Sequence, residues 1–297
     1  MNFQKFNIIN EGGAYGHIMH PYEDNSLTFK DIKNIITQFF NTDPSFQATE
    51  KMDGVSLLVT WKNNSIRAAR NKSHLANYGQ NSLSPAELKD FFSNKQGNYT
   101  AFYDALHALN IAFNASKELV NKIFCNGRRF LSVEIIYPGY TNVIKYRDKK
   151  IIFHNIYEYD IYGVRLYDET YNMNALYNLL LERNLLRQND FEIIKPNILS
   201  FDKNNLNGLK YDYFIRRIDT LYTYNHLTED DVFASIDKVH IKDFFIEFGK
   251  FIIESSIGLM TDKYINKIPT EGLVFEYNGK TYKLTGDFRK YLKQWQD

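Results

Sequence analysis

EGLVFEYNGKTYKLTGDF, residues 271–288, carries the clearest local signal in the chain. Asn278-Gly279 is the preferred pair for a two-residue type I′ hairpin turn, which needs positive φ at both central positions. Alternating runs flank it. In the register that such a turn imposes, Tyr277 faces Lys280, Phe275 faces Tyr282 and Leu273 faces Leu284. The large apolar members share one face, the expected core, whereas Val274, Glu276, Thr281, Lys283 and Thr285 share the other, polar face. Lys283 therefore points away from the core on a rigid strand, and antiparallel sheet is expected at this end of the chain.

The same reading extends upstream. QATEKMD, residues 47–53, leads into GVSLLVTW (54–61), an apolar strand; KNNS (62–65) reads as a turn and IRAAR (66–70) as the returning strand. RRFLSVEIIYPG (128–139) is a strand that Pro138 and Gly139 terminate, and KIIFHNIYEYDIYG (150–163) is an unusually aromatic one. Between these lie helical patterns. SLTFKDIKNIITQFF (26–40) has Ser26 or Thr28 as cap and Ile32, Ile35, Ile36 and Phe39 on one stripe. SPAELKDFF (84–92) opens a mostly helical stretch to Cys125 with a cap followed by proline. NMNALYNLLLERNLLRQ (172–188) and IKDFFIEFGKFIIESS (241–256) are amphipathic helices within a stretch, about 172–260, that reads mainly helical. Composition shifts from strand-rich to helical near residue 165 and back near 268, and no internal repeat is present. A single domain over 1–297 with a helical insertion is the expected organisation.

Composition sets bounds on function. Hydrophobic residues make up 44% of the 297, which marks a folded globular chain. One cysteine, Cys125, permits neither an intrachain disulfide nor a thiolate metal site, and points to a reducing compartment. The N-terminal MNFQKFNIINEGG lacks the apolar core of a signal peptide, and no run approaches the ~18 apolar residues of a membrane span. A soluble, cytoplasmic protein without a membrane partner is expected. Net charge is only +1, but residues 51–150 hold 15 Lys/Arg against 7 Asp/Glu, and residues 151–272 hold 13 against 19. Either this is chance along a surface, or the first segment and the basic tail line one electropositive cleft.

Several charged and aromatic residues fall in a definite order. Lys51-Met52-Asp53-Gly54 precedes a strand, Arg70 ends the partner strand, Glu134 lies in SVEIIY, Asp160 closes the aromatic IYEYDI, Glu271 opens EGLVF, and Lys283 lies in YKLTG. This order resembles the covalent nucleotidyltransferase superfamily of ATP-dependent DNA ligases, RNA ligases and mRNA capping enzymes, with matching segments over residues 50–286. The resemblance implies an α+β nucleotidyltransferase (ATP-grasp-like ligase) fold, with antiparallel sheets flanking a nucleotide cleft. It implies ATP and Mg2+ (or Mn2+) as cofactors and a nucleic acid with 5′-phosphate and 3′-hydroxyl ends as partner.

The implied chemistry is a lysine that attacks the α-phosphate of a nucleotide. The amine must be neutral although a free lysine titrates near ~10.4, and neighbouring cations, desolvation and a metal lower that value. By resemblance Lys51 is the nucleotidylated residue. Lys283 supports the phosphate, Arg70 contacts ribose or phosphate, Glu134 binds the sugar, and Glu271 assists the metal. Glu134 and Glu271 are the best-placed carboxylates for magnesium. Tyr157 or Tyr159 would stack on the purine, and Glu50 would help read the base edge. Each has a plainer rival: Lys51 as a surface lysine at a turn, Arg70 solvating a hairpin end, Glu134 on an exposed sheet face, the tyrosines as core. Asp53-Gly54 is expected mainly to make the turn. His17 and His20, in GHIMH, have helical spacing, but the glycine- and proline-rich context favours a loop over a metal pair.

Three departures from the pattern stand out. Such families carry two lysines two residues apart in the last segment, and here the second position is Thr285, unless Arg289 or Lys290 supplies the charge. Strict alternation puts Glu271 on the face opposite Lys283, so Gly272 is expected to bend the strand or host a bulge. Only eleven residues follow Gly286, which leaves no room for a C-terminal OB domain. A minimal, viral-type or RNA-ligase-like enzyme is then favoured over an ordinary DNA ligase, in the host cytoplasm if viral. The alternatives are a GTP-dependent capping-type nucleotidyltransferase and an inactive nucleotide- or nucleic-acid-binding module of the same fold.

Overall fold

A computed structural model describes residues 18–41, 46–92, 96–140, 146–257 and 271–285. In chain order the elements are α1 (Phe29–Phe40), β1 (Ala48–Glu50), β2 (Val55–Lys62), β3 (Ser65–Ala69), α2 (Lys72–Gly79), α3 (Pro85–Phe91), α4 (Gln96–Ala115), α5 (Lys117–Phe124), β4 (Arg129–Ile136), β5 (Lys149–Tyr159) and β6 (Arg165–Asp168). There follow α6 (Thr170–Glu182), β7 (Phe191–Ile194), β8 (Ser200–Phe201), α7 (Gly208–Tyr224), α8 (Lys238–Glu254), β9 (Ser256–Ile257), β10 (Leu273–Tyr277) and β11 (Lys280–Leu284). Helices and largely antiparallel sheets give the expected α+β class. No helix among the described residues is long and apolar enough to cross a membrane.

The chain forms two compact units, divided at Asp53/Gly54 and at Lys195/Pro196. The single domain expected from the sequence thus takes in two units. The second division falls thirty residues beyond the compositional shift near 165, because α6 and β7 still pack on the sheet that precedes them.

The Gly54–Lys195 unit is built on a sheet of order β3-β2-β4-β5-β6, with β7 also paired to β5. Asn63 and Asn64, both at positive φ, turn β2 into β3 as the KNNS reading predicts. Period-2 alternation sends Leu57, Val59, Leu131, Val133, Ile135 and Phe153 to one face, where α4, α5 and α6 cover them. Each such side chain contributes about 1.5–3 kcal/mol on burial. Ser56, Ser132 and Glu134 take the other face, as expected for Glu134. A bulge opposite Ser132 and Val133 leaves His154 as the extra residue of β5. One departure from the antiparallel expectation is β7, which runs parallel to β5 from Lys149↔Phe191 to Ile152↔Ile194. Its short FEII run, flanked by polar residues, lies inside the stretch read as helical.

The second unit joins Ile18–Asp53 to the segment from Pro196 onward. Its sheet has the order β1-β10-β11. The register between β10 and β11 is the one that the turn dictates, Leu273↔Leu284, Phe275↔Tyr282 and Tyr277↔Lys280, with Asn278 and Gly279 at positive φ. Leu273, Phe275, Tyr282 and Leu284 are buried against α1, α7 and α8. Of the two cap candidates for α1, Thr28 is the one used. Its Oγ1 accepts from the Asp31 amide at 3.1 Å while the Asp31 carboxylate accepts from the Thr28 amide at 2.8 Å. Ile32, Ile35, Ile36 and Phe39 form the buried stripe as expected.

Candidate active site

Lys51 follows directly on β1, and β1 is pinned on both sides. Ala48, Thr49 and Glu50 pair with Phe275, Val274 and Leu273, and beyond the ladder the Lys51 amide donates to the Gly272 carbonyl at 2.8 Å. On the other side the Glu50 amide donates to the Asn197 carbonyl at 3.0 Å, and Asn197 Nδ2 donates to the Glu50 carboxylate at 2.9 Å. Glu50, expected to help read a base, is thus engaged by Asn197. The backbone of Lys51 is fixed before its side chain is considered.

The Lys51 ammonium donates to Glu271 Oε2, with 20% of the lysine side chain and 9% of the carboxylate exposed. Gly272 makes this contact possible. Its φ of +146° lies where side-chain-bearing residues rarely go, and a Cβ there would come within 2.2 Å of the Leu284 carbonyl oxygen. The bend expected at Gly272 is present, and it carries Glu271 off the face that alternation assigns to it. Lys283 pairs with Val274, which pairs with Thr49, so all three lie in one cross-strand row. The Lys283 amide also donates to the Met19 carbonyl at 3.0 Å. Beyond the ladder Gly272 accepts the Lys51 amide, and a Cβ on it would meet Thr285 Cγ2 at 2.9 Å. Thr285 Oγ1 lies 3.1 Å from His20 Nε2. His17, Arg289 and Lys290 lie outside the described residues.

The Gly54–Lys195 unit, taken by itself, holds Glu134. Glu134 Oε1 accepts the Gly54 amide at 2.9 Å, and its Oε2 lies 3.3 Å from His154 Nε2. Gly54 has no room for a side chain, since a Cβ would sit 2.7 Å from Glu134 Cγ and 2.8 Å from the Ile135 carbonyl. Gly54 is therefore held on β4 by a carboxylate, and Asp53 is 1% exposed.

Other expected site residues are used for packing. Arg70 extends to the helix-covered side, where its guanidinium donates to the Ser56 carbonyl and lies 5.1 Å from the Phe102 ring and 5.5 Å from the Phe92 ring. Burial lowers its pKa from the usual arginine value. These contacts give Arg70 a packing role, beside the ribose or phosphate contact that the resemblance implies. Tyr159, 4% exposed, packs edge-on to Phe130 in a small cluster with Leu58, Ala69 and Leu75, which corrects the base-stacking expectation for that residue. Tyr157 remains half-buried, but the Arg165 guanidinium covers its ring at 3.9 Å.

Three residues escaped the sequence reading. His154 left a faint trace, since His-Asn interrupts the alternation of an apolar strand, which is the mark of a bulge. His20 was weighed only as a metal ligand. Asn197 left none. For a divalent ion, no cluster of three or more His, Cys, Asp or Glu exists among the described residues. Magnesium is commonly held by one or two carboxylates plus substrate phosphates, and Glu271 beside Lys51 suits that mode.

No family model matches the chain, and no curated protein matches it. Among solved structures it is similar to a Naegleria gruberi RNA ligase mutant with ATP and Mn, at 16% identity and a TM-score of 0.37, covering 96% of this chain and 62% of that one. The same ligase with PPi gives 16% identity and a TM-score of 0.32 over 99% of this chain and 65% of the other. A structure called Pmar-Lig_Pre gives 11% identity and a TM-score of 0.31, over 81% and 40%. The chain thus spans about three-fifths of the Naegleria ligase.

Proposed function

We propose that this chain is an ATP-dependent polynucleotide ligase that forms a lysyl-AMP intermediate on Lys51, transfers AMP to a 5′-phosphate and seals the end against a 3′-hydroxyl. One observation carries the reading: a lysine amine, fixed by its strand, meets a carboxylate delivered by a bent glycine. A second lysine, Lys283, lies on the same three-stranded sheet, in the row of Thr49, two residues before Lys51. A merely solvated surface lysine needs none of this.

The residues divide the work. Lys51 Nζ attacks the α-phosphorus, the N–P bond forms, and the P–O bond to pyrophosphate breaks with the electron pair leaving on pyrophosphate. As an ammonium donating to Glu271, the amine has no free electron pair, so the ion pair must part and one proton must pass to water before attack, and a second passes to water as the N–P bond forms. Glu271 is then available to hold a divalent cation, which when bound would offset charge on the phosphates. Lys283 places a second positive charge near the same phosphate. Glu134 holds the turn after Lys51 through Gly54, and by resemblance also the sugar. Tyr157 is the remaining aromatic candidate for the base. It would serve only if Arg165 moves aside.

The test is incubation of the purified chain with α-labelled ATP or GTP and Mg2+ or Mn2+, followed by denaturing electrophoresis, beside Lys51→Ala. Label from ATP alone, absent in the variant, is expected. Label from GTP alone indicates a capping-type nucleotidyltransferase. No label from either, in folded protein free of bound AMP, indicates a binding module.

A further inference from the structure

We propose that His20 is a positioning residue that fixes the Thr285 hydroxyl as an oxyanion donor beside Lys51. The inference rests on the nucleotidyl-transfer reading above and assigns to it two residues that the resemblance does not.

The placement comes from the ladder. Glu50, Leu273 and Leu284 share one row. One step along, the Lys51 amide donates to Gly272, and a Cβ on Gly272 would meet Thr285 Cγ2 at 2.9 Å. Gly272, which has no side chain, adjoins both residues. With strands ~4.8 Å apart, their Cα atoms lie about 10 Å apart, within reach of two sides of one phosphate once the lysine extends.

His20 is held on all sides. Its ring stacks on Tyr22 at 4.7 Å with 16° between planes, and its amide donates to Glu23 Oε2 at 2.6 Å. The preceding Met19 is bridged to Tyr282 and accepts from the Lys283 amide. Only 8% of the residue is exposed. A hydroxyl carries one hydrogen and can accept from others. When His20 Nε2 bears its hydrogen and donates to Thr285 Oγ1, the threonine hydrogen is left to point outward. A donor set in advance towards a phosphoryl oxygen stabilises the charge that builds there as the Lys51–phosphorus bond forms and the bond to pyrophosphate breaks. Packing alone would be served equally well by valine at 285.

The experiment is single-turnover formation of lysyl-AMP from labelled ATP, with the melting temperature of every variant recorded. Thr285→Val and His20→Leu are each expected to slow the step by roughly tenfold to a hundredfold, with the ATP concentration at half-maximal rate little changed. Thr285→Ser keeps the hydroxyl and most of the rate. His20→Gln, whose amide nitrogen can donate to Oγ1, recovers much of the loss. The double variant Thr285→Val/His20→Leu is expected to be no slower than the slower single variant, because both changes remove one contact. A Thr285→Val variant at the wild-type rate, or losses that multiply in the double variant, overturns the inference while lysine labelling stands. A wild-type chain that takes no label at all overturns the inference and the proposed function together.

Discussion

The two larger sheets among the described residues treat their charged residues differently. On the six-stranded sheet, cations near the helix-covered side are absorbed by packing: Arg70 lies on Phe92 and Phe102 and binds a backbone carbonyl. On the three-stranded sheet one face is apolar and buried, Lys283 lies on the other, and Lys51 and Thr285 follow directly on the ends of β1 and β11. A sheet covered on one face by helices turns a long cation into an amphipathic filler. On the short hairpin sheet Lys51 is instead paired with a carboxylate, Glu271. The difference teaches that a charged residue at a strand end acquires its role from the face it inherits, not from its place in a motif.

The contrast can be broken at its hinge. Gly272→Ala forces a Cβ into the Leu284 carbonyl and demands a rare φ, so we expect the largest loss, of several kcal/mol in stability. Lysine labelling should vanish even below the melting transition, because Glu271 is carried away from Lys51. Thermal unfolding and the labelling assay report the two effects separately. Wild-type behaviour in both would mean that the bend does not matter.

A matched pair sharpens the comparison further. Lys283→Met should cut labelling by about a hundredfold and leave the melting temperature within a few degrees. Arg70→Met should do the reverse, lowering stability by about 1–3 kcal/mol with labelling of the folded protein within a few-fold of wild type. Should Arg70→Met lose activity and keep its stability, the packing role given to it here is wrong.

Smaller effects come from the turn after Lys51. Glu134→Ala removes the acceptor for the Gly54 amide, and we expect about 1–3 kcal/mol of lost stability and slower labelling. Glu134→Gln, which keeps an acceptor oxygen, should restore stability more than rate if the carboxylate also serves chemistry. Equal recovery of both would reduce Glu134 to a turn clamp.

The smallest effect concerns acid. Burial alone would raise the Asp24 carboxyl, but hydrogen bonds from Lys280, Ser26 and Tyr282 outweigh it and hold the group well below the usual carboxylate range. A depressed folded value contributes stability that is present above the unfolded value, near ~3.9, and is lost as pH falls towards the folded one. Stability should therefore decline below about pH 4, and Asp24→Asn should flatten that decline. An unchanged acid limb in the variant would assign it to other carboxylates.

Local rules made part of this legible. Asn278-Gly279 fixed a whole register, and Thr28 with Asp31 fixed a helix start, since turn and cap chemistry act within a few residues. Alternation also placed Glu134 and Lys283 on polar faces. What escaped depended on partners far along the chain. Arg70 reads the same whether it meets a phosphate or Phe102, and Tyr159 reads the same whether it stacks on a base or on Phe130. β7 joins β5 in parallel across some forty residues, and a four-residue apolar run does not announce its partner. His20 meets Thr285 across 265 positions, so neither residue alone suggested the pair.

The central claim is that Lys51 becomes covalently nucleotidylated, and mass mapping of the protein after incubation with ATP and a divalent metal tests it most directly. The account predicts one AMP on the peptide that carries Lys51 and none on the peptide that carries Lys283. AMP on any other lysine, or no modified peptide from folded protein, would contradict it.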